Sequence, residues 1–389
     1  MNMQTANKLK VLDLSGCSSL TKIPESPQSS WNLEVLNLSY LDLNSGLELD
    51  VSNLRNLTVL NLCGIKLERI VGGTIGTMER LQELDLSMLE RSNLEEVVVD
   101  IGELSSLQIL KTTGMTKKKI IEENEDHHQT EAAELPLLLG RLPTSLKVLH
   151  TSSPVVNLSE LVALEELMVV KCDSGLQIPT TKSSWWSESK LKFMMLKNSN
   201  MVPAESSSCC RLPTSLTNLH VWDCSELKWL PNLENLENLT DLFVDGCGSL
   251  QEIQGLDNLL LAGSSKLESI SMTYCPLLTS TFRRRHDDVG RREKRVESMK
   301  ALCIVKCGGG IPHLSNFPRL TSLEIGDVTD ELAADQQGMG SQLDGIANLE
   351  ELKYLSLFVT GNESLKFNAN GQQISKVEDT LQSGSVSGG

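Results

Sequence analysis

The hydrophobic positions of this chain repeat in a short pattern, L-x-x-L-x-L, in which the x positions are mostly polar. The first four copies start 24 residues apart, and later spacings range from 18 to 39. Such a pattern predicts one short strand per copy, with successive strands stacked in parallel around a shared leucine core. The fourteen copies start at Leu9, Leu33, Leu57, Leu81, Leu107, Leu146, Leu164, Leu191, Leu216, Leu239, Leu267, Met299, Leu320 and Leu352.

The second position of the pattern is apolar in every copy, and the third is Leu, Val, Ile or Met in twelve of the fourteen. The two exceptions are Thr112 and Thr151. They flank the longest interruption of the array, which we interpret as an insertion at 111–145. Because threonine carries a hydroxyl into a position that should be apolar, we expect the sheet to weaken here and to act as a hinge.

Six of the ten cysteines fall eight residues after the start of a copy, where random placement would put fewer than one. This offset is the Asn/Cys position of the leucine-rich-repeat consensus L-x-x-L-x-L-x-x-N/C-x-L. A small side chain is needed there because it turns inward where each strand leaves the sheet, and a buried free cysteine behaves as a small hydrophobe. These structural repeat cysteines are Cys17, Cys172, Cys224, Cys247, Cys275 and Cys307.

The pattern therefore predicts an α/β solenoid, a leucine-rich-repeat horseshoe. About fourteen parallel strands would line its concave face, with irregular or short helical segments on the convex side. We assign residues 1–358 to this domain, with a basic loop at 281–296, and expect the polar segment 359–389 to be disordered. Only eight residues precede the first copy. Solenoid ends need a cap, so we expect further protein upstream in the functional unit.

Composition narrows the function. The net charge of −16, from 51 acidic and 35 basic residues, argues against binding to a nucleic-acid backbone. No apolar run approaches the roughly 18 residues of a membrane helix, and residues 1–10 lack the apolar core of a signal peptide. We therefore predict no nucleic-acid or membrane partner and a cytoplasmic location, with the nucleus as the alternative, where the cysteines would stay reduced.

Motifs for catalysis, cofactors and metals are absent from the sequence. It contains no C-x-x-C, H-E-x-x-H or G-x-S-x-G. The run at 72–76 resembles a phosphate loop but lacks the lysine that such a loop needs. The adjacent pair His127-His128 would project in different directions, and the basic loop at 281–296 is interleaved with acidic residues. We predict no catalytic, cofactor or metal site, and therefore no enzyme.

Two stripes of x positions are the candidate protein-binding surface on the concave face. They begin polar, with Asp13, Asn37, Asn61 and Asp85, and become bulky in the middle of the array. Aromatic and methionine side chains rimmed by polar residues are typical of the centre of a protein interface. The alternative is that some of them lean into the core of imperfect repeats. The candidate residues are Met168, Val170, Met195, Lys197, His220, Trp222, Phe243 and Asp245.

The residues of single repeats resemble a known family. The segments 9–24, 216–230 and 239–250, with their Leu-x-x-Leu-x-Leu-x-x-Cys pattern, resemble the leucine-rich region of plant intracellular nucleotide-binding leucine-rich-repeat disease-resistance proteins. The resemblance is to the subgroup with an N-terminal Toll/interleukin-1-receptor domain. It implies a partner that is a pathogen effector or a guarded host protein, and an upstream nucleotide-binding domain. This chain has no phosphate loop or Toll-like segment, so nucleotide binding does not carry over.

Two other classes of binding protein remain as alternatives. A substrate-recognition subunit of a ubiquitin ligase also uses repeats to hold a client, but it needs an adaptor-binding helical domain. An extracellular repeat receptor would have a signal peptide, capping cysteine pairs and a recurring L-x-G-x-I-P segment. None of these features is present in the sequence.

Overall fold

The computed structural model divides the chain into two compact units, unit 1 at residues 1–215 and unit 2 at residues 216–389. Each unit is built from leucine-rich repeats, whose strands pair in parallel. The described residues are 8–17, 19–20, 32–41, 47–50, 54–71, 75–91, 101–114, 116–117, 141–153, 158–172, 175–179, 184–203, 210–261, 265–278, 295–308, 310–326, 346–359, 363–367 and 373–378.

Unit 1 contains eight parallel strands, one from each of the first eight copies of the pattern. Their register keeps equivalent repeat positions side by side, so that Leu36 lies opposite Leu12 and Leu60 lies opposite Leu36. The strands are β1 (Val11–Asp13), β2 (Val35–Asn37), β4 (Val59–Asn61), β6 (Glu83–Asp85), β8 (Ile109–Thr112), β10 (Val148–Thr151), β11 (Glu166–Val170) and β13 (Phe193–Lys197).

Unit 2 contains six parallel strands from the last six copies, followed by two antiparallel ones. The fourteen parallel strands of the two units are those that the repeat pattern predicts. The strands of unit 2 are β15 (Asn218–Trp222), β17 (Asp241–Asp245), β19 (Ser269–Thr273), β20 (Ala301–Val305), β21 (Ser322–Gly326), β22 (Tyr354–Val359), β23 (Glu363–Phe367) and β24 (Gln373–Glu378).

Strict alternation of side chains places the leucines of each strand in the core. In β15, Leu219 and Val221 are fully buried, whereas the residues between them are half-buried. The pattern arises because successive side chains of a strand point to opposite sides of the sheet. We call the side of the repeat strands that faces away from the leucine core the outer face. The x positions that the sequence analysis assigned to the concave face lie on this side.

The return segments between the strands contain short helices, as predicted, and also short strands, which the pattern did not predict. The short strands pair with their counterparts in neighbouring repeats: β3 (Leu47–Asp50) with β5 (Leu67–Val71), β7 (Glu90–Arg91) with β9 (Thr116–Lys117), β12 (Leu176–Ile178) with β14 (Met201–Pro203), and β16 (Trp229–Leu230) with β18 (Glu252–Ile253).

The helical turns precede strands and anchor their repeats. Within the described residues two are α-helical, α1 (Trp185–Glu188) and α2 (Leu256–Leu261), and Trp185 is 1% exposed. In each of the five described 3-10 turns the first residue lies six positions before a copy of the pattern, as Ile101 does before Leu107. These turns are Ile75–Thr77, Ile101–Glu103, Leu158–Glu160, Leu314–Asn316 and Ile346–Asn348.

The expected weakening of the sheet at Thr112 and Thr151 is not observed. β8 and β10 pair directly, in continuous register from Ile109–Val148 to Thr112–Thr151. Both threonines are fully buried, and their side-chain oxygens are hydrogen-bonded to each other at 3.0 Å. The paired hydroxyls satisfy each other, so the sheet continues across the interruption. Residues 118–140 of the predicted insertion lie outside the described residues.

The segment 359–389 was expected to be disordered, but the structure has β23 and β24 within it. β23 pairs antiparallel with β22, and β24 pairs antiparallel with β23. β23 contains apolar residues in alternation, Leu365 and Phe367, and β24 contains the β-branched residues Ile374 and Val377, which the overall polar composition conceals. Residues 379–389 lie outside the described residues.

Candidate functional site

Four of the eight candidate binding residues lie on the outer face of unit 1. Met168 and Val170 are on β11, and Met195 and Lys197 are on β13. The register places Met168 beside Met195 and Val170 beside Lys197. All four are half-buried and alternate with fully buried core residues, so they point away from the core.

A further aromatic residue, which the sequence analysis missed, extends this group. Phe193 is half-buried on the outer face of β13, beside Glu166 of β11. The carboxylate of Glu166 is 2.6 Å from Nε2 of His150 on β10. Phe193 occupies the second x position of the L-x-x-L-x-L pattern, which was not among the two stripes considered. We call Met168, Val170, Phe193 and Met195 the methionine patch.

The other four candidates lie on the outer face of unit 2. His220 and Trp222 are on β15, and Phe243 and Asp245 are on β17. The rings of Trp222 and Phe243 are stacked, with centroids 4.5 Å apart and an interplanar angle of 23°. The rings of His220 and Phe243 are tilted at 54°, with centroids 5.8 Å apart. We call His220, Trp222 and Phe243 the aromatic patch.

The aromatic patch has a fixed polar partner on each side. Nε2 of His220 is 2.6 Å from a carboxylate oxygen of Asp241. This hydrogen bond is the main cause that holds the pKa of Asp241 below its ordinary value. On the other side, the hydroxyl of Thr273 donates to the carboxylate of Asp245. Both carboxylates are therefore held in place beside the rings, which favours a preorganised surface.

The outer face of unit 2 continues from the aromatic patch over small residues to another carboxylate. Phe243 lies beside Ser271, which lies beside Cys303, which lies beside Glu324, on four successive strands. Burial, followed by the negative charge of Glu324, raises the pKa of the Cys303 thiol to about 12. The sequence analysis missed these positions because a run of small residues has no signal of its own.

The polar residues at the start of the array have a structural role in the turns. Asp13, Asn37, Asn61 and Asp85 each accept a hydrogen bond from the backbone N–H two residues further on, at 2.9 to 3.2 Å. Such side-chain bonds close an Asx turn. These four residues therefore close the turns at the ends of their strands. This structural role explains why they are polar, and no ligand is needed to account for them.

Five of the six repeat cysteines are buried, and Cys17 is exposed. Cys17 follows β1, whose strand residues are half-buried or exposed, and residues 21–31 after it are outside the described residues. The thiols of Cys224, Cys247, Cys275 and Cys307 each donate to the carbonyl oxygen two residues upstream. These bonds satisfy carbonyls where the strands end, in agreement with a structural role.

The thiols of unit 2 also contact one another from repeat to repeat. The hydrogen bond with the Cys224 thiol lowers the pKa of Cys247, but the bond with Cys275 and burial raise it, with a net value of about 12. The pKa of Cys275 is likewise raised to about 12, between Cys247 and Cys307. The thiols of Cys247 and Cys275 are therefore protonated at neutral pH and unreactive, whereas the hydrogen bond with Cys275 lowers the pKa of Cys307.

Within the described residues, no group of three or more His, Cys, Asp or Glu side chains is placed to hold a metal ion. Of the helices in the same part of the chain, none has the length and apolar character to cross a membrane. Residues 281–294 of the predicted basic loop lie outside the described residues.

Curated relatives of this chain are plant disease-resistance proteins. No protein-family model matches the chain. The protein SUPPRESSOR OF npr1-1, CONSTITUTIVE 1 of Arabidopsis thaliana is 30% identical over 60% of the chain and 16% of its own length. A putative disease resistance protein of the same plant is 27% identical over 62% of the chain and 20% of its own length. A probable disease resistance protein, also from Arabidopsis thaliana, is 28% identical over 69% of the chain and 27% of its own length. The chain thus spans about a quarter or less of these relatives.

Two of the solved structures that this chain resembles are from bacteria. A leucine-rich-repeat protein of Leptospira interrogans has 18% identity and a TM-score of 0.48, and the match covers 92% of this chain and 85% of that one. The functional domain of InlJ from Listeria monocytogenes, which includes a cysteine ladder, has 15% identity and a TM-score of 0.46. That match covers 87% of this chain and 72% of the other.

Proposed function

We propose that this chain is the ligand-sensing repeat region of a plant intracellular disease-resistance protein of the nucleotide-binding leucine-rich-repeat family, in the Toll-like-domain subgroup. Its partner would be a pathogen effector or a guarded host protein, and its action would be binding rather than catalysis. Support comes from the repeat fold and from the names of the relatives, which are disease-resistance proteins. An upstream nucleotide-binding domain is part of this proposal.

The observation that carries the proposal is the stacked pair Trp222 and Phe243 on the outer face of unit 2. In the described strands, the leucines form the core. An aromatic side chain at an outward position of these strands is therefore not needed for folding. Tryptophan and phenylalanine bury a large area when a partner covers them, and such residues contribute most of the affinity in many interfaces. The methionine patch of unit 1 offers a second apolar surface.

A cytoplasmic location, with the nucleus as the alternative, belongs to the same proposal. No disulfide joins the described cysteines. Four of them, Cys224, Cys247, Cys275 and Cys307, are neighbours in successive repeats of unit 2. Neighbouring thiols remain reduced in the cytoplasm, whereas an oxidising compartment promotes disulfides.

The test begins with proximity labelling of plant cells that express the full receptor, with and without pathogen challenge. Each protein that is enriched on challenge is then purified and titrated against the chain by calorimetry. We expect the double variant Trp222→Ala/Phe243→Ala to weaken binding by about 3 kcal/mol or more, since each truncation removes a central aromatic side chain.

A matched control is Tyr274→Ala/Leu277→Ala, which removes two exposed apolar side chains of unit 2 that lie outside its strands. This double variant should leave the affinity unchanged. Equal affinities of the wild-type chain and the Trp222/Phe243 variant for every purified partner would refute the proposed binding surface.

A further inference from the structure

The charged residues on the outer face of unit 2 all have the same sign. The outward positions of its six parallel strands include Asp241, Asp245 and Glu324, and within these described strands none is lysine or arginine. The carboxylate of Asp241 is hydrogen-bonded to Nε2 of His220 at 2.6 Å. Asp245 and Glu324 are therefore the remaining charged residues at the outward positions of these strands.

Two strands with short outward side chains separate the aromatic patch from Glu324, and we call the space above those side chains the depression. Between Phe243 and Glu324 lie two strands that present Ser271 and Cys303. With neighbouring strands about 4.8 Å apart, the backbones of Phe243 and Glu324 are roughly 14 Å apart. Because serine and cysteine are short, the space above them is bounded by rings on one side and by a carboxylate on the other.

Both carboxylates act on this depression. The negative charges of Glu324 and Asp245 each raise the pKa of the Cys303 thiol, which lies on its floor. Asp245 lies next to Trp222 in the register of β15 and β17. A group that sits above Cys303 therefore lies between the ring of Phe243 and the carboxylate of Glu324, with the negative charge of Asp245 nearby, whereas Trp222 lies on the far side of Phe243.

This combination matches the chemistry of a cationic side chain. Aromatic faces attract a cation through their quadrupole, and tryptophan is the strongest ring for this contact. A guanidinium group stacks on rings and forms paired hydrogen bonds with carboxylates. An anionic or purely apolar side chain would instead leave two carboxylates without compensation when water is excluded.

We propose that the outer face of unit 2 binds its protein partner through an arginine or lysine side chain that enters the depression between the aromatic patch and Glu324. This inference rests on the proposed function, since it names the chemistry by which that surface recognises a partner. The residues that contact the cation would be Phe243, Asp245 and Glu324, and Trp222 would hold the Phe243 ring in place by stacking on it.

The test uses a library of random twelve-residue peptides displayed on phage and selected on the purified full-length chain. Clones that bind the wild-type chain but not Trp222→Ala/Phe243→Ala are kept. We expect these clones to be enriched in arginine or lysine over the unselected library. In the tightest synthetic peptide, replacement of its arginine by the neutral isostere citrulline, or of its lysine by norleucine, should weaken binding at least tenfold.

The protein side of the test neutralises the two carboxylates. Asp245→Asn/Glu324→Gln should weaken the cationic peptide at least tenfold and abolish the effect of the isosteric replacement. The control Glu226→Gln/Glu237→Gln removes the same charge from two exposed residues outside the strands of unit 2 and should change little. Circular dichroism of each variant establishes that it is folded.

The outcomes separate the two proposals. Clones that depend on Trp222 and Phe243 but lack basic residues, or that bind the carboxylate variant as tightly as wild type, would overturn the cationic inference and leave the binding surface standing. A selection that yields no clone dependent on Trp222 and Phe243 would count against both.

Discussion

Thr112 and Thr151 share a hydrogen bond of 3.0 Å between their side-chain oxygens, although 39 residues separate them in the sequence. Both side chains occupy core positions that are leucine or another apolar residue in the other repeats. The hydroxyl of Thr151 also accepts a bond from the backbone N–H of Ser153 at 2.9 Å. Two adjacent repeats thus compensate each other for a polar group that either one alone would leave unsatisfied.

Replacement of these threonines by isosteric valine is expected to show strong coupling. Thr151→Val should destabilise unit 1 by about 2 kcal/mol and Thr112→Val by about 1 kcal/mol, because only the former also removes the partner of the Ser153 N–H. The double variant should cost less than the sum of the two, by roughly 1 kcal/mol. Urea denaturation measures each value.

The control for this cycle is Thr321→Val in unit 2, whose hydroxyl donates to a backbone carbonyl near the surface. It should change the stability by no more than about 0.5 kcal/mol. Strict additivity of the Thr112 and Thr151 variants would show that the two hydroxyls do not stabilise each other.

The repeat strands could be predicted from the sequence because every copy repeats the same requirement. A leucine such as Leu60 or Leu219 has to be buried against its neighbours, and the period of the pattern therefore determines the register of the sheet. The pairing of Thr112 with Thr151 could not be predicted in this way. Each threonine looks like a defect by itself, and only the direct contact of β8 with β10 converts the two into a satisfied pair.

The hydrogen bond between His220 and Asp241 predicts a defined dependence of stability on pH. Because this bond holds the pKa of Asp241 below 3.8, the folded state binds fewer protons than the unfolded state in the acid range. The stabilisation by this bond is therefore complete above the pKa that Asp241 has in the unfolded chain. It is lost as the pH falls through the lower pKa that Asp241 has in the folded chain. Asp241→Asn should cost about 1 kcal/mol at pH 6.

Denaturation of the wild-type and Asp241→Asn chains between pH 6 and pH 3 tests this prediction. The difference between them should narrow below pH of about 4, as Asp241 takes up a proton in the wild-type chain. Glu226→Gln changes an exposed residue outside the strands and leaves the bond between His220 and Asp241 intact. Its stability should therefore differ little from that of the wild-type chain. A gap between wild type and Asp241→Asn that stays constant down to pH 3 contradicts the assigned role of the carboxylate.

Alkylation should distinguish Cys17 from the buried cysteines of unit 2. At pH 8 a thiol with a pKa of about 12, such as Cys247 or Cys275, has roughly a thousandth of the thiolate of an ordinary thiol. Burial blocks the reagent as well. We expect iodoacetamide to modify Cys17 within minutes and to leave Cys247 and Cys275 intact for hours, as measured by mass spectrometry of the peptides.

Treatment in guanidinium chloride is the control for this experiment, because unfolding exposes all thiols and should equalise their rates. Fast alkylation of Cys247 in the folded chain would show that the thiols of unit 2 are accessible. It would also remove the basis for treating them as structural.

The candidate site could be predicted only in part. Trp222 and Phe243 stand out because large aromatic side chains are rare in this sequence and occur here at outward positions. Their stacking and the position of Glu324 depend on which strands are neighbours and on the register of each pair. Phe193 was missed because it occupies the second x position of the pattern, which in β2 and β4 is an ordinary valine.

The Asx turn at Asn61 predicts a stability effect without an effect on binding. The side chain of Asn61 accepts a hydrogen bond from the backbone N–H of Cys63 at 2.9 Å. Asn61→Ala leaves this N–H without its partner and should destabilise unit 1 by about 1 kcal/mol. Asn61→Asp keeps the acceptor, as Asp85 does in the next repeat at 2.9 Å, and should be nearly neutral. Urea denaturation gives both values, and titration with a partner that binds the aromatic patch should show the same affinity for both. A loss of affinity in Asn61→Asp with unchanged stability would instead make the polar start of the array part of the binding surface.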